Sequence, residues 1–339
     1  MISNIGIIGA GSWGTALAKV LGEKGLNVSL WVFEKEIVDN INKKHFNPLY
    51  LSKAKLPSSI KATNKISEAL VGKEVVLSVV PSRFVRNVFE SASSFLDKKT
   101  ILVSATKGIE LKTNKLMSEV LAEVLPNHPA KNRVYLSGPS FADEVAKGLP
   151  TSIVVAGIDG LVREKVQNLL KTEKFLVFTN EDIVGVEISG AVKNVIAIAS
   201  GMSDGLGFGH NTRAAIITRG LYEIIKIGKA MGANPLTFVG LSGIGDLILT
   251  CTADMSRNHR VGRRLGQGEK LEKILSEMKM VAEGVSTSKA VYELTKKYKI
   301  SAPICEAVYK MLYEELKPID AVKWLCSLPI KDELRSILK

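Results

Sequence analysis

Lys193 lies in the middle of a stretch, Val184–Ala199, in which almost every other residue is apolar or small. A lysine on a buried helix is costly unless it is paired or faces a polar cavity. At helical spacing its neighbours have small side chains, which leave room for a ligand beside the amine: Ser189, Gly190, Ala197 and Ser200. Because partial burial lowers the proton affinity of a lysine, this amine could act as a general acid or base. The alternative is a lysine whose stem carries its charge to the surface.

Charged residues in three further segments could contact a ligand. Lys107 follows a predicted strand, Asp246 interrupts an apolar run, and Arg257 lies between Ser256 and Asn258. Asp246 could be the countercharge that positions a lysine. The guanidinium of Arg257 suits bidentate recognition of a phosphate. Each has an ordinary alternative, since surface lysines and arginines are common and aspartate is frequent in turns and helix caps.

A glycine-rich turn, GAGSWG at residues 9–14, joins an apolar strand to an amphipathic helix. In a dinucleotide-binding turn, Gly9 would permit the tight bend and Gly11 the approach of the backbone to a pyrophosphate. Gly14 would let the helix pack close to the strand. The start of that helix would attract phosphates. The alternative is a strand–helix–strand unit whose turn binds nothing.

The second strand, Asn27–Val32, ends near Glu34. An acid about 20 residues past such a turn can bond the 2′-hydroxyl of the cofactor ribose, and it would repel a 2′-phosphate. Glu34 therefore favours NAD. Lys35 lies beside it, so we expect use of both NAD(H) and NADP(H), with NADH accepted.

The rest of the first half alternates short apolar strands with helices. Strands are predicted at Glu74–Val80, Ile101–Ala105, Arg133–Leu136, Ile153–Ala156 and Phe175–Phe178, with helices over roughly Ser82–Phe95 and Asn114–Leu125. The stretch His45–Lys65 is predicted to be irregular. This alternation indicates a mostly parallel sheet covered on both faces, with ligands beyond the carboxyl ends of its strands. Lys107, Gly138 and Ser140 leave strands at those ends.

The pattern becomes helical after Asp182. Ile183–Gly201 is apolar on almost every side and should be a central buried helix, followed by helices at Thr212–Met231, from Pro235, and in shorter segments to Lys339. We therefore predict two domains, a dinucleotide-binding α/β domain over residues 1–185 and an all-α substrate-binding domain over residues 186–339.

Composition excludes several other classes of protein. The net charge is +12, but the lysines are spread along the chain and interleaved with glutamates, which indicates a solvated surface rather than a nucleic-acid interface. No apolar run approaches the roughly 20 residues that span a bilayer, and no signal peptide is evident. The three cysteines and four histidines show no metal-ligand spacing. We expect a soluble cytoplasmic protein without a metal, a nucleic-acid partner or membrane insertion.

Taken together, these segments resemble the bacterial-type NAD(P)-dependent glycerol-3-phosphate dehydrogenases over nearly the whole chain. The resemblance rests on the order of GAGSWGTA at residues 9–16, TKGIE at 106–110, SGPSF at 137–141, AVKNVIAI at 191–198, LSGIGDLILTC at 241–251, SRN at 256–258 and VAEGV at 281–285. It implies a Rossmann-type N-terminal domain with a mostly parallel sheet, an all-α C-terminal domain, and an active site between them.

The resemblance also implies roles for individual residues. Lys193 would transfer the proton, Asp246 would orient it, and Lys107 would add a second positive charge. Cofactor contacts would come from the glycine-rich turn and from Ser12, Trp13, Phe33, Lys107, Ala142, Arg257, Val281 and Glu283. Substrate contacts would come from Lys107, Gly138, Ser140, Lys193, Asp246, Ser256, Arg257 and Asn258.

The implied reaction is the reversible NAD(P)H-dependent reduction of dihydroxyacetone phosphate to sn-glycerol 3-phosphate for phospholipid synthesis. Hydride would reach C2, and Lys193 would give the proton. A homodimer is one oligomeric state that the sequence leaves open.

Three other functions remain open at this point. Another hydroxyacid or ketoacid reductase of the same two-domain plan would leave Ser256–Asn258 unexplained. A dinucleotide-binding sensor without catalytic activity would give no reason for Lys193 in an apolar helix. A nucleic-acid-binding function would rest on net charge alone.

Overall fold

The chain changes from one folded unit to another three times along its length. The structure, a computed structural model, describes residues 2–278, 281–330 and 333. Met1–Thr106 and Met117–Ile183 form the first unit, and Lys107–Leu116 and Val184–Lys339 form the second. The sequence analysis placed a single boundary at residue 185, and it did not foresee that the segment with Lys107 folds with the helical part of the chain.

The first unit contains an eight-stranded sheet. Its strands are β1 Asn4–Ile8, β2 Asn27–Trp31, β3 Ile60–Thr63, β4 Val75–Ser78, β5 Ile101–Ser104, β6 Arg133–Ser137, β7 Thr151–Ala156 and β8 Phe175–Asn180. They lie in the order β3-β2-β1-β4-β5-β6-β7-β8, and every neighbouring pair is parallel except β6 and β7. This is the mostly parallel sheet that the sequence predicted.

Helices accompany this sheet and cover its apolar side chains. They are α1 Ser12–Glu23, α2 Lys35–Asp39, α3 Val85–Ala92, α4 Met117–Val124, α5 Ala142–Ala146 and α6 Gly160–Leu170. Successive residues of β4 enter two different buried clusters, Val75 and Leu77 in one and Val76 in the other. Because side chains of a strand alternate between faces, both faces of the sheet are buried. The two-sided burial explains why the central strands are continuous apolar runs.

Two predictions of local structure in this unit were wrong. The stretch predicted to be irregular contains β3, which pairs with β2 through Val28 and Ile60. It has only four residues and begins three residues after Pro57, so its alternation is too short to stand out in the sequence. The helix predicted from Asn114 begins at Met117, because Lys112 and Asn114 have positive φ angles of 74° and 57°. The α-helical part of the predicted segment Ser82–Phe95 is α3, flanked on both sides by short 3₁₀ turns.

In the part of the second unit after residue 183, the regular structure of the described residues is helical, whereas Lys107–Leu116 consists of turns and an isolated antiparallel bridge between Ile109 and Leu116. Its α-helices are α7 Ile183–Gly205, α8 His210–Ala230, α9 Asp246–Thr252, α10 Arg257–Gly266, α11 Leu271–Ser276, α12 Glu283–Lys297, α13 Pro303–Tyr313 and α14 Pro318–Ser327. Pro235 begins a 3₁₀ turn, Pro235–Val239, that is capped by Asn234. The helical pattern predicted up to Lys339 extends past the described residues.

Helix α7 is buried on nearly every side, as predicted. By length and composition it is apolar enough to cross a membrane, contrary to the expectation that no segment would be, but 83% of its most apolar window is buried inside the fold. Ile109 and Leu116 belong to the same buried cluster as the α7 side chains. They come from Lys107–Leu116, the segment that interrupts the first unit in the sequence and folds with the second.

Helices α7 and α10 pack with their backbones in close contact through four glycines. A Cβ atom at Gly201 or Gly205 would overlap a carbonyl oxygen of α10, and one at Gly262 or Gly266 would overlap a carbonyl oxygen of α7. No larger residue fits at these positions without separating the helices. The start of α10 is thereby held at a fixed distance from the helix that carries Lys193.

Gly262→Ala should lower the free energy of unfolding by about 1–3 kcal/mol, because the added methyl group overlaps the backbone oxygen of Ile198. Gly160→Ala is the matched control: its added methyl group meets only the end of the Arg163 side chain, at 3.6 Å. It should be neutral or slightly stabilising. Urea unfolding of both variants measures the difference, and equal stability of the two would contradict the close packing.

Candidate active site

The Asp246 carboxylate bridges two lysines inside the helical unit. Its Oδ1 accepts a hydrogen bond from Lys193 Nζ at 2.5 Å, and its Oδ2 accepts one from Lys107 Nζ at 2.8 Å. Asp246 is 1% exposed and Lys193 is 6% exposed. Lys193 therefore does not extend to the surface, and the costly burial of its charge is offset by a direct partner.

Thr250 completes the polar environment of Lys193. It lies one helical turn after Asp246 in α9, so that both side chains lie on one face of the helix. Its hydroxyl donates to the Asp246 backbone carbonyl at 2.6 Å and accepts from Lys193 Nζ at 2.7 Å. Sequence reasoning missed Thr250, although its four-residue spacing from Asp246 was a usable signal.

Burial and charge set the protonation of this group. Burial lowers the pKa of Lys193 to about 8; the Asp246 carboxylate opposes this shift and the Lys107 ammonium adds to it. Burial alone would raise the pKa of Asp246, but the charges of Lys107 and Lys193 outweigh it and hold that pKa below its ordinary value. Asp246 is therefore ionised, while Lys193 can exchange its proton near neutral pH.

Two ammonium groups against one carboxylate leave the group with a net positive charge when Lys193 is protonated. Such a charge in a buried environment stabilises an oxygen that becomes negative during a reaction. The arrangement is thus suited to protonating an oxygen atom or to removing a hydroxyl proton.

A second polar group surrounds the start of α10. Ser256 caps the helix by accepting the backbone N–H of His259 at 3.2 Å. The exposed Arg257 side chain donates to the Val281 carbonyl at 2.8 Å. These contacts bring Ser256 and Arg257 together with the start of α12, where Glu283 is the first helical residue.

Asn258 is a structural link as well as a candidate ligand. Its amide donates to Asn194 Oδ1 at 2.9 Å, and its side-chain oxygen accepts the Gly284 N–H at 2.9 Å. The side-chain oxygen is thus engaged, while the amide keeps a second hydrogen. Asn194, next to Lys193 in the sequence, was also missed, since asparagine in a helix gives no specific signal.

A partly buried polar group that contains an ion pair fastens the first turn of α10 to α7 and α8. The Asp204 carboxylate accepts from His259 Nε2 at 2.8 Å and from Arg213 Nη2 at 2.8 Å. The sequence analysis gave none of these three residues a role, because His259 is 55 positions from Asp204 and no local pattern links them.

The glycine-rich turn of the first unit has the geometry that a pyrophosphate needs. Gly9 has a φ angle of +110°, and a Cβ at Gly14 would overlap the Gly9 carbonyl, whereas the space beside Gly11 is open. No side chain caps the start of α1, and its first turn contains no acid. The residues present therefore fit the diphosphate of a dinucleotide.

The predicted cofactor residues next to this turn lie at the start of α1 and beyond the end of β2. The Ser12 hydroxyl donates to the Tyr50 carbonyl at 2.7 Å, and Trp13 packs against Phe175 with ring centroids 6.5 Å apart. Phe33, just beyond β2, is 79% exposed and precedes Glu34.

The remaining predicted residues of the first unit follow β6. Gly138 has a φ angle of +129°, and the Ser140 hydroxyl donates to its carbonyl at 3.0 Å. Ala142 is the first residue of α5. The structure thus brings Lys107, Lys193 and Asp246 together in one unit, and it places Gly138, Ser140 and Ala142 in the other. Among residues 2–278, 281–330 and 333, no three metal-ligating side chains are placed to hold a metal ion.

Two solved structures of other reductases share the fold at low identity. A ketopantoate reductase of the PanE/ApbA family from Ralstonia eutropha superposes with a TM-score of 0.59 at 15% identity, over 93% of this chain and 99% of that one. A D-mandelate dehydrogenase gives a TM-score of 0.57 at 13% identity, over 93% and 99%. Similarity at this level shows the fold alone.

Much closer similarity connects the chain to one family. A Geobacter sulfurreducens glycerol-3-phosphate dehydrogenase (NAD(P)+) is 49% identical over 98% of this chain and 99% of its own length, and the Citrifermentans bemidjiense enzyme of the same name is 50% identical over the same shares. The crystal structure of glycerol-3-phosphate dehydrogenase from Coxiella burnetii has a TM-score of 0.92 at 39% identity, over 96% of this chain and 99% of that one.

The family profiles cover both halves of the chain. Residues 4–160 match the profile of the NAD-dependent glycerol-3-phosphate dehydrogenase N-terminus, and residues 182–323 match that of its C-terminus. The chain therefore belongs to the NAD-dependent glycerol-3-phosphate dehydrogenase family.

Proposed function

We propose that this protein catalyses the reversible reduction of dihydroxyacetone phosphate to sn-glycerol 3-phosphate with NADH or NADPH, and that Lys193 exchanges the proton. The observation that carries the proposal is the buried bridge from Lys193 through Asp246 to Lys107, in a chain of this family. When bound, the reduced nicotinamide supplies the hydride that adds to C2 of the substrate.

The bridge suits the charge that develops during reduction. As hydride reaches C2, the carbonyl oxygen becomes negative, and the Lys193 ammonium stabilises it and donates a proton. Lys107 adds a second positive charge. Asp246, with Thr250, holds the amine in one orientation. In the reverse direction, neutral Lys193 removes the hydroxyl proton.

The start of α10 supplies groups that suit the substrate phosphate. Arg257 offers a guanidinium, and Ser256 and Asn258 flank it at the helix N-terminus. Binding energy from the phosphate, which does not react, would hold C2 in place. Gly138 and Ser140 would make further substrate contacts.

We assign the cofactor contacts to the following residues. The turn at Gly9, Gly11 and Gly14 would take the diphosphate, and Glu34 the ribose. Further contacts would come from Ser12, Trp13, Phe33, Lys107, Ala142, Arg257, Val281 and Glu283.

In the cell, we assign the protein to the cytoplasm, without membrane insertion, where its product would supply phospholipid synthesis. Burial of α7 within the fold supports the absence of membrane insertion. A homodimer is the assembly that we propose to test first, by light scattering.

The reaction is tested by the loss of NADH or NADPH absorbance with dihydroxyacetone phosphate, using unphosphorylated dihydroxyacetone as the control. We expect oxidation of the cofactor to be far faster with the phosphate ester than with the unphosphorylated control. Lys193→Ala should reduce kcat by about 10²–10⁴-fold, the usual contribution of general acid catalysis, and should leave NADH binding intact. The exposed Lys289→Ala is the matched control. Turnover by Lys193→Ala at the normal rate would refute the assignment.

The pH dependence of reduction should report the Lys193 pKa of about 8. Because reduction needs the ammonium form, its rate should fall as the pH rises through about 8, while oxidation of glycerol 3-phosphate should rise over the same interval. Asp246→Asn removes the negative charge that stabilises the ammonium, so the declining limb should move to lower pH. Profiles of kcat/KM against pH, which report groups of the free enzyme, measure this, and an unmoved limb would show that another group titrates.

Arg257→Ala should raise KM for dihydroxyacetone phosphate by about tenfold or more, since a charge-assisted contact with the phosphate is lost. At saturating cofactor, which compensates for any lost cofactor contact of Arg257, the slow reduction of unphosphorylated dihydroxyacetone should be unchanged. Steady-state kinetics with both substrates make the comparison. An equal loss with both would place Arg257 outside the phosphate site.

A further inference from the structure

Tyr50 connects the end of the second strand to the start of the first helix. Its hydroxyl donates to Glu34 Oε1 at 2.5 Å, and its backbone carbonyl accepts from the Ser12 hydroxyl at 2.7 Å. Tyr50 thus contacts both parts of the proposed dinucleotide site. Its side chain contacts Glu34, the proposed ribose ligand, and its backbone contacts Ser12, in the turn proposed to bind the diphosphate.

The segment that carries Tyr50 is itself fixed to the glycine-rich turn. Asn47 is fully buried; its amide donates to the Ala10 carbonyl at 2.8 Å and to the Thr15 hydroxyl at 2.9 Å. Its side-chain oxygen accepts the Tyr50 N–H at 3.2 Å. Tyr50 is therefore held from both sides, and its hydroxyl has a defined position.

The bond between Tyr50 and Glu34 has a single direction. A carboxylate only accepts, so the tyrosine must donate. Burial, together with the bond and the charge of Glu34, raises the pKa of Tyr50 to about 12, so the phenol keeps its proton over the working pH range. The Glu34 side chain does not cap α2, although its residue precedes that helix. The hydroxyl of Tyr50 bonds to Oε1 of the carboxylate, and Oε2 takes no part in this bond.

We infer that Tyr50 is a positioning residue for cofactor selection, which fixes the Glu34 carboxylate so that it accepts a ribose 2′-hydroxyl and repels a 2′-phosphate. The inference rests on the proposed dinucleotide site. A carboxylate that is free to turn can move away from a 2′-phosphate and leave it to the neighbouring Lys35. A carboxylate that is held in place cannot move away, so its negative charge stays close to a bound 2′-phosphate and repels it. The chain should therefore prefer NADH to NADPH.

The test measures the dissociation constants of NADH and NADPH by cofactor fluorescence without substrate. Tyr50→Phe removes only the hydroxyl, and it should narrow the preference for NADH by about tenfold, the value of one hydrogen bond to a charged group. Glu34→Gln removes the charge, and it should narrow the preference at least as much. In the Glu34→Gln background, Tyr50→Phe should have little further effect on the ratio, because the charge that it positions is gone.

The controls separate selection from folding and from catalysis. Tyr298→Phe makes the same chemical change at a partly exposed site in the helical unit. The ratio of its dissociation constants for NADPH and NADH should equal that of the unmodified protein. Equal weakening of both cofactors by Tyr50→Phe, or a full additional effect in the Glu34→Gln background, would overturn the inference. Neither result would bear on the proposed reduction of dihydroxyacetone phosphate. Conversely, a protein that binds NADH selectively but does not reduce this substrate would overturn the proposed function alone.

Discussion

The buried carboxylate of Asp246 is the interaction on which the candidate site depends. An unpaired charge at this depth would cost several kcal/mol, and each lysine in turn needs the carboxylate for the same reason. Removal of Asp246 would leave both lysines without their shared countercharge. The three residues come from segments more than fifty positions apart, so the group forms only when distant parts of the helical unit pack together. Chemistry and stability are therefore coupled at this point.

The packing of α7 supplies the low-dielectric environment that shifts the Lys193 pKa, and it also fixes the distance to the phosphate-binding candidates. Glycines on both helices allow α10 to approach the backbone of α7, and Asp204 fastens the same turn through His259 and Arg213. Helix α7, which is surrounded by apolar side chains, thus carries the amine of Lys193. The polar residues at the start of α10 are positioned by backbone contact between the two helices rather than by long flexible side chains.

Much of this could be predicted from the sequence, for identifiable reasons. The sheet and the buried helix follow from apolar periodicity, and Lys193 and Asp246 stand out because each interrupts an apolar run. Asn194 and Asp204 gave no such signal, since polar residues on helices usually face water, and Thr250 could be found only from its four-residue spacing to Asp246. Strand β3 was too short to recognise. That Lys107 would fold with the helical unit depends on tertiary contacts of Ile109 and Leu116, which no local pattern contains.

The excursion of Lys107–Leu116 into the second unit has a consequence for evolution and engineering. Exchange of the helical unit between relatives at a single junction near residue 184 would leave this ten-residue insert with the wrong parent. Asp246 of one parent would then meet the lysine of the other, and Asn114 would meet a foreign partner in place of Glu293. The two units are therefore not independent modules in the gene. A chimera that respects the structure needs three crossovers, and the bridging carboxylate and both its lysines are inherited together.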